Sequence, residues 1–243
     1  MIPISKKISL INFTDKNDIG RIKFIVIHYF GSLGTAEDVA QYFYNVFRSA
    51  SAHYCVDENS IWQCVEDEDI AWHCGDSGIG TMKGIVTNSI GIEVRPYKID
   101  LSTVSSAGAQ DWYFNNETIK NLSELVIMLM KKYNIPIENV VRHFDVTAKW
   151  CPRPWMGDDI NTYYKETGNV LWKEFKTTLE GEDNIMQVGA ITANMNGQLT
   201  ELKTILYNDE NYIRLRDLAD AQKNDKLTVS WNESERMVYI NSK

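Results

Sequence analysis

Apolar residues crowd the segment Ile22, Phe24, Ile25, Val26 and Ile27 with a single lysine among them, which predicts a strand buried on both faces and ending at His28. Beyond the glycines at 31 and 34, Thr35 stands as a helix cap ahead of Glu37 and Asp38. Val39, Tyr42, Phe43, Val46 and Phe47 then recur as an apolar stripe, which predicts a helix through Arg48. Segments 53–56 and 61–65 flank Asp57-Glu58-Asn59-Ser60, the pattern of a hairpin, and Ser89 to Val94 reads as a strand closed by Pro96. Residues 101–110 are small and polar, as in a loop.

The clearest helical periodicity runs from Glu117 to Tyr133, through Ile119, Leu122, Leu125, Val126, Leu129 and Met130, with Asn116 as the expected cap. Pro136 ends it, and Val140 and Val141 form a short extended piece that delivers His143. Further helices are predicted over 159–165 and 169–179. Periodicity breaks at Glu180-Gly181-Glu182-Asp183-Asn184, and strands follow over 191–199, 202–207, 212–215, 227–231 and 237–240, with a short helix over 215–221. The expected architecture is α/β over residues 1–179, a mixed central sheet flanked by helices. A linker over 180–187 and a small β-rich domain over 188–243 complete it. With few large apolar side chains, the second domain is expected to lean on the first or on a partner chain.

Composition narrows the function classes. At 44% hydrophobic and 24% charged, the 243 residues are those of a globular protein rather than a disordered one. The net charge is −8, of which the segment from Met186 carries −1 and the first 185 residues −7. Without clustered Lys and Arg, binding to nucleic acid through phosphate contacts is disfavoured. No window reaches the roughly eighteen uncharged apolar residues that span a bilayer, and the first ten residues carry two lysines with no apolar run behind them. The expectation is a protein that inserts in no membrane and carries no export signal. Cys55, Cys64 and Cys74 lie in or beside apolar strands and are expected as packing, whereas Cys151 stands in the run His143-Phe-Asp-Val-Thr-Ala-Lys149-Trp-Cys151-Pro152.

Among four histidines, His28 and His143 each follow a predicted strand, where a side chain can leave the sheet for a crevice. Two imidazoles and a thiolate suit zinc and leave a fourth position for water, as in catalytic sites. Residue types alone leave packing histidines as the commoner reading. Five signatures in order change that weighting: Ile25-Val26-Ile27-His28, Ser51-Ala52-His53-Tyr54, Ala71-Trp72-His73, Asn88-Ser89-Ile90-Gly91-Ile92-Glu93, and His143-Phe144-Asp145 through Lys149-Trp150-Cys151-Pro152. From about Ile22 to Pro154 the chain resembles the zinc-dependent N-acetylmuramoyl-L-alanine amidases, the family that includes phage T7 lysozyme and is related to the peptidoglycan recognition proteins.

The resemblance implies Zn2+ held by His28, His143 and Cys151, and catalytic roles for Tyr54 and Lys149, with Glu93 as a further catalytic group. It implies hydrolysis of the amide between N-acetylmuramic acid and L-alanine in bacterial peptidoglycan. Trp72, His73 and Trp150 are expected in the substrate groove, and Asp145 behind a ligand imidazole. A phage or prophage endolysin, made in the host cytoplasm and acting on the wall after release, is the expected setting, with a bacterial autolysin next. The competing expectations are a non-catalytic peptidoglycan-recognition protein, which Cys151 and Lys149 oppose, and an amidase of soluble muropeptides.

The tail, through Asn211-Tyr212-Ile213-Arg214-Leu215-Arg216-Asp217-Leu218-Ala219, Val229-Ser230-Trp231-Asn232 and Val238-Tyr239-Ile240, resembles the N-terminal-like domain of copper amine oxidases found on wall-associated proteins. Lacking histidine and cysteine, it has no copper ligands of that kind. Tethering to the wall and homodimerisation are its two expected uses.

Overall fold

The computed structural model describes residues 2–75, 85–103, 105–156 and 168–179 in full, and beyond them the backbone of the strands between 187 and 242. The chain forms two compact units, Met1–Leu179 and Glu180–Lys243.

In the first unit the strands are β1 (Ile4–Lys6), β2 (Phe13–Thr14), β3 (Phe24–Tyr29), β4 (Tyr54–Val56), β5 (Ile61–Gln63), β6 (Ile70–Ala71), β7 (Ser89–Val94), β8 (Tyr97–Lys98), β9 (Trp112–Tyr113) and β10 (Val140–Arg142). The helices are α1 (Ala36–Tyr44), α2 (Asn116–Tyr133), α3 (His143–Thr147) and α4 (Gly168–Leu179). Six strands make the central sheet in the order β1-β5-β4-β7-β3-β10. Every neighbouring pair is parallel except the β4–β5 hairpin. This is the mixed α/β arrangement that the hydrophobic pattern predicts.

Register divides the side chains between two layers. In parallel strands, residues opposite one another point to the same face, and successive residues alternate. Ile25, Ile27, Ile90, Ile92, Val94, Tyr54, Val56 and Val140 therefore share one face, and they pack with Leu122, Leu125, Val126 and Leu129 of α2 and Phe175 and Leu179 of α4 into the main core. The other face carries Val26, His28, Ser89, Gly91, Glu93, Cys55 and Val141. Part of it is closed by α1, through Ala36, Ala40 and Phe43, and part by Cys74, Ile85 and Val146. The remainder, around His28 and Glu93, is left open.

Helix α1 starts where the sequence places its cap. Thr35 accepts the Asp38 amide at 3.1 Å while the Asp38 carboxylate takes the Thr35 amide, a reciprocal pair that satisfies two end donors. Helix α1 stops at Tyr44 rather than Arg48, and its buried face differs from the expected stripe: Tyr42, Val46 and Phe47 are exposed, and only Phe43 of the four bulky residues Tyr42, Phe43, Val46 and Phe47 is buried. Small residues win because Ala36 and Ala40 let the helix backbone approach the sheet over Cys55 and Cys64. Helix α2 is capped one residue earlier than expected, by Asn115, whose side chain accepts from the Thr118 amide.

In the second unit, β11 (Gln187–Met195), β12 (Gln198–Tyr207), β13 (Glu210–Ile213), β14 (Leu227–Asn232) and β15 (Met237–Ser242) form one sheet in the order β13-β12-β11-β15-β14. The helices expected over 159–165 and 215–221 lie outside the described residues. Among the described residues no helix is long and apolar enough to cross a membrane.

Candidate metal and active site

Three chain segments meet at the open part of the sheet. His28 lies near the end of β3, and His143 opens α3 directly after β10. Cys151 is brought back by a reversal: Ala148 takes a left-handed backbone (φ 61°) at the end of α3, and the Phe144 amide donates to the Cys151 carbonyl at 2.9 Å. The start of α3 is fixed by Asp145, which accepts the Arg142 amide at 2.8 Å and pairs with the Arg142 guanidinium at 2.8 Å. Asp145 thus holds the backbone that carries His143.

One ligand atom each from His28, His143 and Cys151 lies within 4.8 Å of the others, and all three residues are buried. The Cys151 sulfur is 3.8 Å from His28 Nδ1, and the His28 and His143 imidazoles meet edge to face at 4.6 Å between centroids. His143 Nδ1 is buried and has no hydrogen-bond partner among the described residues. An orphaned buried nitrogen is costly unless something else satisfies it.

Burial, reinforced by its neighbours His143, His73 and Lys149, pushes His28 well below the ordinary imidazole value; burial, then Lys149, lowers His143 to about 4. Both are therefore neutral, with a lone pair to give. Burial and the nearby Glu93 drive the Cys151 thiol up, so its thiolate needs a cation beside it. Neutral nitrogen, neutral nitrogen and a thiolate in want of positive charge are a donor set that fits zinc.

The surrounding space is two adjoining lobes of about 620 Å³ each, sharing Ala50, Trp72, His73 and Lys149 as common wall. Glu93 lies opposite His28 in the register of β3 and β7 and faces the first lobe. Its Oε2 is buried without a hydrogen-bond partner among the described residues, and burial raises the carboxyl to about 8, an effect Lys149 opposes. Lys149 is exposed at the rim of both lobes. On the far side Gly31, at φ +63°, passes so close to Ala107 that a Cβ on it would lie 2.9 Å from the alanine methyl. Any side chain there would push away the loop that closes the first lobe.

Residues 18–154 match the family model described as N-acetylmuramoyl-L-alanine amidase. The chain belongs to that family. It is 29% identical to the N-acetylmuramoyl-L-alanine amidase CwlL of Bacillus licheniformis over 184 residues, 70% of this chain and 48% of that protein. The chain spans about half the length of the curated relatives it matches. Its fold is similar to that of PlyL (TM-score 0.54, 24% identity, 73% of this chain and 97% of that one) and of the catalytic domain of XlyA (TM-score 0.53, 24% identity, 73% and 99%).

Not every expected residue joins the site. Tyr54, carried over as a catalytic group, points to the opposite face of the sheet, because it pairs with Ile92 while its neighbour Cys55 pairs with Glu93. Its hydroxyl donates to Asp67 Oδ1 at 2.8 Å, and the Asp67 carboxylate also takes Tyr133 and the half-exposed Lys132 of α2. Trp72 and Trp150 both line the first lobe, with Trp150 half exposed beneath the Arg153 guanidinium and the Trp72 indole N–H held by Thr14. His73 lines both lobes and also reaches His28, with its Nδ1 3.0 Å from His28 Nε2. His53 is fully buried, accepting the Gly91 amide at Nδ1. Cys55, Cys64 and Cys74 are buried thiols, and Trp112 and Trp155 belong to the core.

Two participants went unread in the sequence as site residues, Ser89 and Gly91. The signal was present in the alternation of Ser89, Gly91 and Glu93 along one strand, which puts all three on the face of His28.

Proposed function

We propose that the protein hydrolyses the amide between N-acetylmuramic acid and the L-alanine of the stem peptide in bacterial peptidoglycan, with zinc held by His28, His143 and Cys151. The observation that carries this reading is the convergence of those three buried donors, within 4.8 Å, beside a buried carboxylate oxygen that has no partner among the described residues. When bound, zinc supplies Lewis-acid polarisation of the amide carbonyl and makes water nucleophilic near neutral pH.

The chain's own residues supply the rest. The Glu93 carboxylate, which lines the first lobe, takes the proton of the attacking water and returns it to the leaving amine. A neighbouring cation favours the carboxylate form, countering the burial that raises Glu93. The Lys149 ammonium at the rim faces the negative charge that develops on the carbonyl oxygen, so it favours the transition state more than the ground state. Trp72 and Trp150 offer flat apolar faces to a sugar ring or peptide stem. Tyr54 has no step, since its hydroxyl serves Asp67 across the sheet.

On this reading the role is endolysin-type, on intact wall, with the second unit as a wall tether or as a dimerisation surface. Purified walls provide the test. Native protein should clear them and release new L-alanine amino termini without new reducing sugars, and chelation or Cys151→Ala should abolish clearing. New reducing ends would mark a glycosidase, and turnover confined to soluble muropeptides would overturn the lytic role.

A further inference from the structure

Metal-bound histidines commonly donate their second ring N–H to a carboxylate, a carbonyl or a water. Here the atom opposite His28 Nε2 is another imidazole nitrogen, His73 Nδ1, at 3.0 Å. His73 Nε2 in turn lies 3.1 Å from Ser89 Oγ, and the Ser89 hydroxyl donates to the Ile85 carbonyl at 2.6 Å. His28 and Ser89 are buried, and the His73 ring stacks edge-on between the rings of His28 and His53.

With both imidazoles uncharged, hydrogens can be placed along this chain in one way. The Ile85 carbonyl has no hydrogen to give, so Ser89 donates to it and accepts from His73. His73 Nε2 therefore carries the hydrogen, and His73 Nδ1 is left as a lone pair. That lone pair must receive the hydrogen of His28 Nε2, which frees His28 Nδ1, the nitrogen nearest Cys151. Reversing His73 would set the lone pair of its Nε2 against the Ser89 oxygen, whose one hydrogen is already given to Ile85, across 3.1 Å.

Space for the ring comes from Gly91. A Cβ there would fall 2.3 Å from His73 Cγ and 2.7 Å from Cδ2 and Nδ1, a clash that only displacement of the ring can relieve.

We propose that His73 and Ser89 are positioning residues that fix the tautomer and orientation of His28 for zinc, with Gly91 making room for the ring between them. This rests on the zinc reading above. The chain runs from His28 through a second histidine to a serine anchored on a backbone carbonyl.

Full-length variants should be loaded with zinc and titrated against a chromophoric chelator. Each metal-free variant is first melted to establish that it folds. His73→Ala and Gly91→Ala should weaken zinc binding about 10–100-fold, the range for lost outer partners of metal ligands. Ser89→Ala should weaken it less, roughly tenfold, while Ser89→Thr retains native affinity. His73→Asn, whose carbonyl oxygen can stand near the Nδ1 position, should recover most of the loss, and the absorption bands of the cobalt-loaded protein should shift in His73→Ala but not in His73→Asn.

Native affinity in both His73→Ala and Ser89→Ala would overturn the inference, as would equal loss in His73→Ala and His73→Asn. If His73→Ala fails to fold, the Ser89 pair and His73→Asn decide. Native protein that binds zinc yet leaves walls intact would defeat the amidase reading alone; native protein that binds no zinc would defeat both.

Discussion

Tyr54 and Cys55 are adjacent in β4, yet only Cys55 shares a sheet face with His28 and Glu93. A one-residue difference in position decides whether a side chain meets the cavity or the core, because strand side chains alternate. Tyr54→Phe should therefore lower stability by about 1 kcal/mol, the net worth of one buried hydrogen bond, and leave kcat within about twofold. A loss of kcat of a hundredfold or more in a folded variant would restore a catalytic role. Glu93 makes the opposite prediction. Glu93→Gln should cut kcat by roughly 100-fold or more while zinc remains bound, and retained turnover would remove it from the mechanism. The same carboxyl should be visible in stability. In metal-free protein its value is raised from 4.5 to about 8 by burial, so its contribution is full below the unfolded value and lost as pH rises through the folded one. His143, lowered from 6.5 to about 4, acts in reverse, its contribution being lost as pH falls through the folded value. Between about pH 6.5 and 8.5 the Tm of chelated protein should fall, and Glu93→Gln should flatten that limb; an unchanged slope would assign it to another group.

Helix α1 has the right cap and the wrong stripe. Capping is local chemistry, set by Thr35 and Asp38 three residues apart, and it reads directly from the sequence. Which face is buried depends on what the helix meets. Over Cys55 and Cys64 the sheet leaves room for Ala36 and Ala40, while Tyr42 turns outward beneath the Arg48 guanidinium, 4.0 Å from its ring centre. Ala40→Leu should accordingly destabilise by about 1–3 kcal/mol through overpacking, whereas Phe47→Ser should change stability by less than about 0.5 kcal/mol. Denaturant midpoints would measure both, and a costly Phe47→Ser would return that residue to the buried face. Helix α2, with its long apolar repeat, was legible nearly to the residue because a deep core on one side and solvent on the other impose the period that the sequence displays.

At the scale of the molecule, the first unit holds every residue of the candidate site, and the second contributes a five-stranded sheet. A chain ending at Leu179 should melt cooperatively and keep its turnover of soluble muropeptide. Its sedimentation with insoluble wall should drop if the second unit is a tether; unchanged sedimentation would leave dimerisation, which the mass of the full chain in solution would register. Zinc should raise the Tm of the full protein with concentration, since a ligand that binds only the folded state stabilises by mass action, and excess chelator should reverse it.

The sequence by itself determined the class of fold, the cap of α1 and the long helix, because periodicity and capping are properties of neighbouring residues, and its resemblance to the amidases supplied the candidate ligands. The tertiary structure alone decided that Tyr54 serves Asp67, that alanines rather than aromatics seat α1, and that Ser89 holds His73 against His28 over the bare backbone of Gly91. Those outcomes depend on strand register and on which surfaces come into contact, and neither is written in the spacing of residues along one segment.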